Sequence, residues 1–552
     1  MSSTKGRRRH PRGRSVAPEA RAELLARLGE VAPRRDLLIE YLHRIQDTTG
    51  CLAARHLVAL ADWMDLAPTE VYEVATFYAH FDVVEQAPAE SVPVVRVCGG
   101  LSCALAGGEA LRAEMSDSLA GRARVVAAPC MGRCEQAPAV LVGRHAVAPA
   151  DAATVITAVA AGRTEAELSA APNLVTYTLQ GGYRLLGACL DGRRAPEEII
   201  AVLHDAGLRG LGGAGFPTAT KWRAVKNRPG PRALVVNGDE GEPGTFKDRA
   251  YLEHDPHRFL EGVLIAAWAV DAADIYIYLR DEYPHLHKLL AKEIDAATAS
   301  NLNGGRPIHL RRGAGAYVCG EESAMLESIE GKRGMPRHRP PYVAERGLFG
   351  RPTLVNNVET LYWVRDIVER GADWWRGFGR RGRSGLRSFS VSGRVRDPGV
   401  KVAPAGITAR ELIDEFCGGM SDGHTFRAYL PGGAAGGILP AALADLPLDF
   451  GTLEEHGALI GSAAVIVLSD HDDLRAAALN LMRFFADESC GRCTPCRLGT
   501  ERAVELLACE AWDRPVLEEL GQVMRDASIC GLGQAAPNVW TTLLRHFPED
   551  VR

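Results

Sequence analysis

The sequence predicts a multidomain α/β protein, and three observations carry that prediction. The chain has 552 residues, 46% apolar and 24% charged, enough for roughly three to five cores of ordinary size. Strand-like apolar runs alternate with helix-period segments through its middle, and glycine-rich loops mark their junctions. Its thirteen cysteines are unevenly placed, eight of them in two spaced sets far apart in the chain.

The elements follow in order. The opening MSSTKGRRRHPRGR holds one Lys and five Arg in fourteen residues. No apolar run of signal length follows it, so residues 1–20 read as a disordered, solvated tail. RDLLIEYLHRIQDTTG sets Leu38, Tyr41, Leu42 and Ile45 at helical spacing, and LAPTEVYEVATFYAHF continues the pattern, so 21–88 is a helical unit. In 89–168, SVPVVRVC and ARVVAA read as strands, ALAGGEALRAEM as a helix, AVLVGRHAV as a hairpin and ADAATVITAVAAG as a closing helix. After the polar junction EAELSAAPNLVTY comes a glycine-rich α/β core (175–385), then a β-rich segment of short strands (386–470) and a helical end (471–552). No run of eighteen apolar residues predicts a membrane span. A net charge of −5 argues against a nucleic-acid or anionic membrane surface.

The two cysteine sets differ in design. Cys98 and Cys103 (VCGGLSCALAGG) precede Cys130 and Cys134 (APCMGRCEQAP), two loops each leaving a strand. Four thiolates suit zinc or an iron–sulfur cluster, and gaps of four and three, wider than a zinc knuckle's usual two, favour two bridged irons. In ESCGRCTPCRLGT, Cys490, Cys493 and Cys496 form a C-x2-C-x2-C run with Cys530 far downstream. Three ligands on one turn plus a distant fourth is how a [4Fe–4S] cubane is commonly held. Cys51, Cys189, Cys319, Cys417 and Cys509 stand alone and read as small buried apolar residues. This usage points to metal ligation in a reducing compartment, hence a cytoplasmic protein.

RGLGGAGFPTATKW (209–222) spells G-x-G-x-x-G, a weak signal by itself. RRGAGAYVCGEESAMLESIEG (311–331) adds a second glycine loop that leads into a helix. Between them lies NGDEGEPGTFKDR (237–249), with four carboxylates. Taken in this order with RPTLVNNVET and ESCGRCTPCRLGT, these segments resemble the NADH-binding flavoprotein subunit of respiratory complex I. They also resemble that subunit's relatives, the diaphorase subunits of NAD-reducing hydrogenases and NAD-linked formate dehydrogenases. Residues 35–160, with IQDTTG, EVATFYAHF and both cysteine pairs, resemble the small [2Fe–2S] subunit of the same module, here fused into one chain.

The resemblance implies a helical bundle, a thioredoxin-like [2Fe–2S] domain, a Rossmann-like FMN/NADH domain, a β-grasp-like domain and a C-terminal helical bundle with [4Fe–4S]. It implies that Gly210, Gly212, Lys221, Asn237, Asn356 and Asn357 meet the FMN phosphate and ribityl chain. Asp239, Glu240, Tyr317, Gly320, Glu321 and Glu322 would line the rest of the cleft. Phe216 and Tyr342 would stack on the adenine side of NADH, and Glu242 would contact the nicotinamide end. Arg339 stands where the complex I pattern commonly has lysine.

The implied chemistry needs no catalytic side chain. NADH yields two electrons as a hydride, a cluster takes one, and FMN converts between them. The expected activity is NADH dehydrogenase or NAD+ reductase, with FMN, NAD(H), [2Fe–2S] and [4Fe–4S] as cofactors. Its expected partners are other subunits of a redox complex. The fusion argues against an ordinary complex I subunit, and residues 336–367 look more like the formate dehydrogenase relatives, whose large subunit would hold the formate chemistry. A hydrogenase or complex I partner, and a zinc-stabilised non-redox scaffold, are the alternatives. Carboxylates in the cleft would favour ribose hydroxyls over a 2′-phosphate, hence NADH over NADPH, and Glu242→Lys would shift that preference.

Overall fold

The computed structural model describes residues 14–29, 31–88, 92–168 and 170–551, so most of the basic arm lies outside the described residues. The tail assigned to 1–20 ends earlier than expected. A helix runs over Pro18–Leu28, and its first-turn proline has no N–H to leave unpaired. Ala20, Leu24 and Leu28 bury one face of it, and Arg14 pairs with Glu85 at 2.6 Å. In the next helix, Leu38–Thr49, Leu38, Tyr41, Leu42 and Ile45 are buried as their spacing requires. Gly50, at φ +73°, then takes the left-handed conformation that stops the helix. Helices Ala54–Met64 and Pro68–Phe77 complete this unit. It docks on the centre of the molecule through Arg311, which pairs with Asp36 at 2.6 Å and Glu40 at 2.8 Å.

The next unit is a four-stranded sheet ordered Arg124–Ala128, Val94–Cys98, Val140–Val142, His145–Val147. The first pair is parallel and the others antiparallel, the last being the predicted hairpin. Val95, Val97, Val140 and Val142 alternate onto one face and bury against Leu111, Met115 and Val155 of two helices. The single helix expected over ALAGGEALRAEM is two, Leu101–Leu105 and Gly108–Ser118. They break at Gly107, whose φ of +85° a side chain would resist.

The central domain carries four parallel strands ordered Thr353–Asn357, Arg232–Gly238, Ala272–Leu279, Ile308–Arg312, with helices on both faces. Three strands follow in sequence, and the fourth then crosses to the far side of the first. This reversal makes a crevice at the carboxyl ends of Arg232–Gly238 and Thr353–Asn357, where ligands of such sheets bind. A mixed five-stranded sheet follows, with Leu386–Gly393 parallel to Ala464–Ser469 and the remaining pairs antiparallel. Five helices from Leu474 to His546 close the chain. No helix among the described residues is long and apolar enough to cross a membrane.

Candidate functional site

The two strands at the crevice carry Asn237 and Asn357 at their carboxyl ends, directly paired in register. The acidic loop leaves the first. The helix Val358–Arg370 leaves the second, its start capped by Asn357 Oδ1, which accepts the Glu359 N–H at 3.1 Å. Around them lies a cavity of about 340 Å³, walled by the glycine loop, the acidic loop, the 317–321 loop and Cys530 of the C-terminal cysteine set. Gly212 lets the first loop close, since a Cβ there would lie 2.9 Å from the Asn357 Cβ.

The four acids of the loop have separate roles. Glu240 caps the helix Lys247–His254, accepting the N–H groups of Asp248 (2.8 Å) and Arg249 (3.1 Å) and the Tyr283 hydroxyl (2.9 Å). Burial, and then the Asp248 charge, push its carboxyl up to about 7. Glu242 accepts the Ala435 N–H at 2.7 Å and the Tyr317 hydroxyl, and burial pushes it up to about 7. Asp248 pairs with Lys247 at 2.8 Å and accepts from Asn357 Nδ2 at 2.6 Å. Asp239 is different: its Oδ2 is buried with no partner among the described residues, and burial holds its carboxyl well above the usual range.

Lys247 is a cleft residue that the sequence did not mark as one, since beside Asp248 it reads as a solvated helix start or a local ion pair. It is 1% exposed, lines the cavity, and pairs with both Asp248 and Glu359, the latter at 3.1 Å. Burial pulls its ammonium down, but the two carboxylates outweigh that and leave it above its ordinary value. Its local signal was a lysine in the first turn of a helix, where the dipole disfavours a cation.

Of the expected cleft residues, Gly212, Asn237, Asp239, Glu240, Glu242, Tyr317, Gly320, Glu321 and Asn357 line the cavity. Asn356 does not. Alternation along its strand turns it from Asn357 into the core, where Oδ1 accepts from Trp222 Nε1 at 2.8 Å. Gly210 closes a turn through its N–H to the Phe216 carbonyl, 2.8 Å. Lys221 pairs with Glu322 at 2.9 Å, and neither lines the cavity. Glu321 caps the helix Glu322–Ile329 and pairs with Arg339. Phe216 and Tyr342 lie outside the cavity wall as uncovered rings, 53% and 56% exposed.

The first cysteine set is gathered and buried, with Cys130 Sγ 3.4 Å from Cys134 Sγ. Cys98 is pushed up first by contact with the thiols of Cys103 and Cys130, so the four form one group. Arg280 Nη2 donates to the Cys130 carbonyl (2.6 Å) and Arg249 Nε to that of Gly132 (2.9 Å), tying this loop to the central domain. Cys490, Cys493, Cys496 and Cys530 line a second small pocket with Arg492. Cys496 is buried and the other three are half-buried. Of the isolated cysteines, Cys51, Cys189, Cys319 and Cys417 are buried as expected, but Cys509 is exposed. It sits at the C-cap of the helix Thr494–Ala508, past the end of the buried face.

These residues fit the groups the sequence points to. Four crowded thiols suit an iron–sulfur cluster at each set. The unpartnered Asp239 oxygen offers an acceptor to a bound hydroxyl or ring N–H, and Gly212 and Gly320, with no side chains, leave room in the cavity wall for a flat ligand.

Comparison with known proteins gives three family matches: the Nuo51 FMN-binding domain over residues 203–366, the NADH-ubiquinone oxidoreductase-F iron-sulfur binding region over 476–552, and the thioredoxin-like [2Fe-2S] ferredoxin over 24–162. An NADH-quinone oxidoreductase subunit of Rhizobium meliloti (strain 1021) is 41% identical over 392 residues, spanning 68% of this chain and 93% of that protein. The mitochondrial NADH dehydrogenase [ubiquinone] flavoprotein 1 of Dictyostelium discoideum is 41% identical over 378 residues, 65% of this chain and 79% of that one. Among solved structures, an NAD+-reducing [NiFe]-hydrogenase in its H2-reduced state superposes with a TM-score of 0.82 at 34% identity, covering 95% of this chain and 92% of that chain.

Proposed function

This chain belongs to the family of NADH-quinone oxidoreductase subunits built on the Nuo51 FMN-binding domain, with a thioredoxin-like [2Fe–2S] ferredoxin in the same polypeptide, and from that premise we propose that it is the NAD(H)-oxidising or NAD+-reducing diaphorase component of a larger redox complex. One observation carries the reading: Cys530 belongs at once to the C-terminal thiol pocket and to the wall of the crevice. A ligand in the crevice is therefore one side chain away from the [4Fe–4S] position. Bound FMN supplies two-electron exchange with NADH and one-electron exchange with iron–sulfur clusters.

The chain's own residues bind, orient and exclude water. Gly212, Asn237, Gly320 and Asn357 form the cradle, Asp239 offers its free oxygen, and Lys247 presents an ammonium donor at the cleft wall. Tyr317 and Glu242 brace each other beside the 317–321 loop. No side chain transfers a proton in the hydride step, so the barrier is lowered by positioning. Cys490, Cys493, Cys496 and Cys530 would hold the [4Fe–4S] cluster, and Cys98, Cys103, Cys130 and Cys134 the [2Fe–2S] cluster.

Discrimination against NADPH rests on the acidic wall, but Glu242→Lys is a poor test of it. Both Glu242 oxygens are engaged, and a lysine would set an ammonium against the Ala435 N–H. Asp239, with its unpartnered oxygen, is the better-placed acceptor for a ribose hydroxyl.

The finer reading is the beta subunit of an NAD-dependent formate dehydrogenase, favoured by residues 336–367. A hydrogenase diaphorase is the second reading, favoured by the single-chain match across 95% of the sequence. The cysteine usage, spaced for metal ligation, supports a cytoplasmic location. Anaerobically purified protein should show flavin absorbance, acid-labile sulfide and NADH-dependent ferricyanide reduction; their joint absence would defeat the proposal. Co-purification then separates the partners, a formate-oxidising subunit in one case and a hydrogen-oxidising one in the other.

Two further outcomes are expected. Gly212→Ala forces a Cβ against Asn357, an overpacking of about 1–3 kcal/mol, and should weaken flavin binding about tenfold, read as flavin lost on dilution. Glu242 is the second case. Its folded pKa of about 7 exceeds its ordinary value of 4.5, so the native state binds its proton more tightly than the unfolded state does. Stability from this group is present at low pH and declines as pH rises from 4.5 to 7. Glu242→Gln should therefore raise Tm, relative to wild type, more at about pH 8 than at about pH 5; an equal difference at both would contradict the assignment.

A further inference from the structure

A second cavity, of about 230 Å³, lies where the helical unit, the [2Fe–2S] sheet and the central domain meet. The sheet wall follows from strand alternation. Val95 and Val97 point into the module's own core, so Arg96 points to the opposite face, in register with Val126 and Leu141, and all three line the cavity.

The charges around it do not balance. Asp82 is paired with Arg124 at 2.7 Å, Asp281 with Arg312 and His80, and Glu282 with Arg280 at 3.0 Å. Each carboxylate thus has its own cation. The half-buried Arg96 side chain lines the cavity and makes no ion pair or hydrogen bond among the described residues. Arg144 reaches only Asp47, at 3.8 Å, which Arg312 already holds at 2.6 Å. The Arg144 Nε is buried with no partner among the described residues. Unsatisfied buried donors of this kind are costly and call for a missing water or ion.

A cation is the wrong occupant. His43, His80 and Asp281 bring potential ligand atoms within 4.8 Å of one another, but Arg312 sits on Asp281, and Arg96 and Arg144 line the same cavity as His80 and Asp281, so a dication would be repelled. We propose that this cavity binds a small oxyanion, of the phosphate or carboxylate class, held by the guanidinium groups of Arg96 and Arg144. Planar guanidinium groups suit such ligands because they can donate two parallel N–H bonds. The cavity is walled by three units, so filling it would favour their docked arrangement.

The test uses the full chain with flavin and clusters bound, so that the flavin crevice is filled. Inorganic phosphate and, separately, acetate are titrated by calorimetry against chloride at matched ionic strength, with Tm followed in parallel. Saturable binding with a rise in Tm is expected for one or both, and the arm that responds identifies the ligand class. Arg96→Met should weaken that binding at least tenfold and abolish the Tm rise, Arg96→Lys should retain part of it, and Arg144→Gln should weaken it independently. NADH-dependent ferricyanide reduction should stay at the wild-type level in all three. Absence of saturable binding of both anions to the wild type, or wild-type affinity in both Arg96→Met and Arg144→Gln, would overturn the proposal.

Discussion

Cys530→Ala is expected to eliminate the C-terminal cluster while leaving the crevice able to take electrons from NADH. The residue supplies the only thiol of its set that does not come from the 490–496 segment, and it starts the short helix Gly531–Ala535 that closes the pocket. Loss of an outer-shell partner alone costs a metal site about 10–100-fold, so loss of a ligand should cut electron transfer to the partner complex by more than about 100-fold. Low-temperature EPR should lose the [4Fe–4S] signal, and stopped-flow absorbance should still record flavin bleaching by NADH. Retention of the cluster signal would mean that the fourth ligand lies elsewhere.

Lys247→Met should destabilise the fold by about 3–5 kcal/mol, the range for breaking a buried ion pair by removing one partner. The substitution leaves Asp248 and Glu359, 4% and 0% exposed, without their shared cation. Chemical denaturation would measure the loss. The double variant Lys247→Met/Glu359→Gln should recover part of it, because one of the two stranded charges is then gone. A loss below about 1 kcal/mol would show that the pair is exposed to water in solution.

Much of the site was legible because ligand spacing is itself chemistry. The two cysteine sets that the structure gathers could be picked out from gaps of two, three and four residues. The turn glycines could be read wherever two loops must approach closely. What was not legible depends on strand phase and tertiary partners. Asn356 and Asn357 are adjacent and chemically identical, and only the register of the sheet decides which one turns to the crevice. Glu240 reads in the sequence as a residue of the cleft lining, yet its carboxyl also satisfies two backbone N–H groups eight and nine residues downstream. Glu242 owes its two partners to Ala435 and Tyr317, which lie far away in the chain. The helix break at Gly107 was written in the paired glycines, but the surrounding apolar period concealed it.

The junction between the [2Fe–2S] unit and the central domain spans only the residues between a helix ending at Ala160 and one starting at Leu174. Arg280 ties the two sides together, donating to the carbonyls of Cys130 and Glu240. As separate chains these units would associate with an affinity, and dilution would part them. A tether this short holds the ferredoxin unit at an effective concentration on the order of millimolar, so a docking contact with a Kd well below that stays closed however dilute the protein. The two cluster positions therefore share a stoichiometry of one to one that no imbalance in synthesis can disturb.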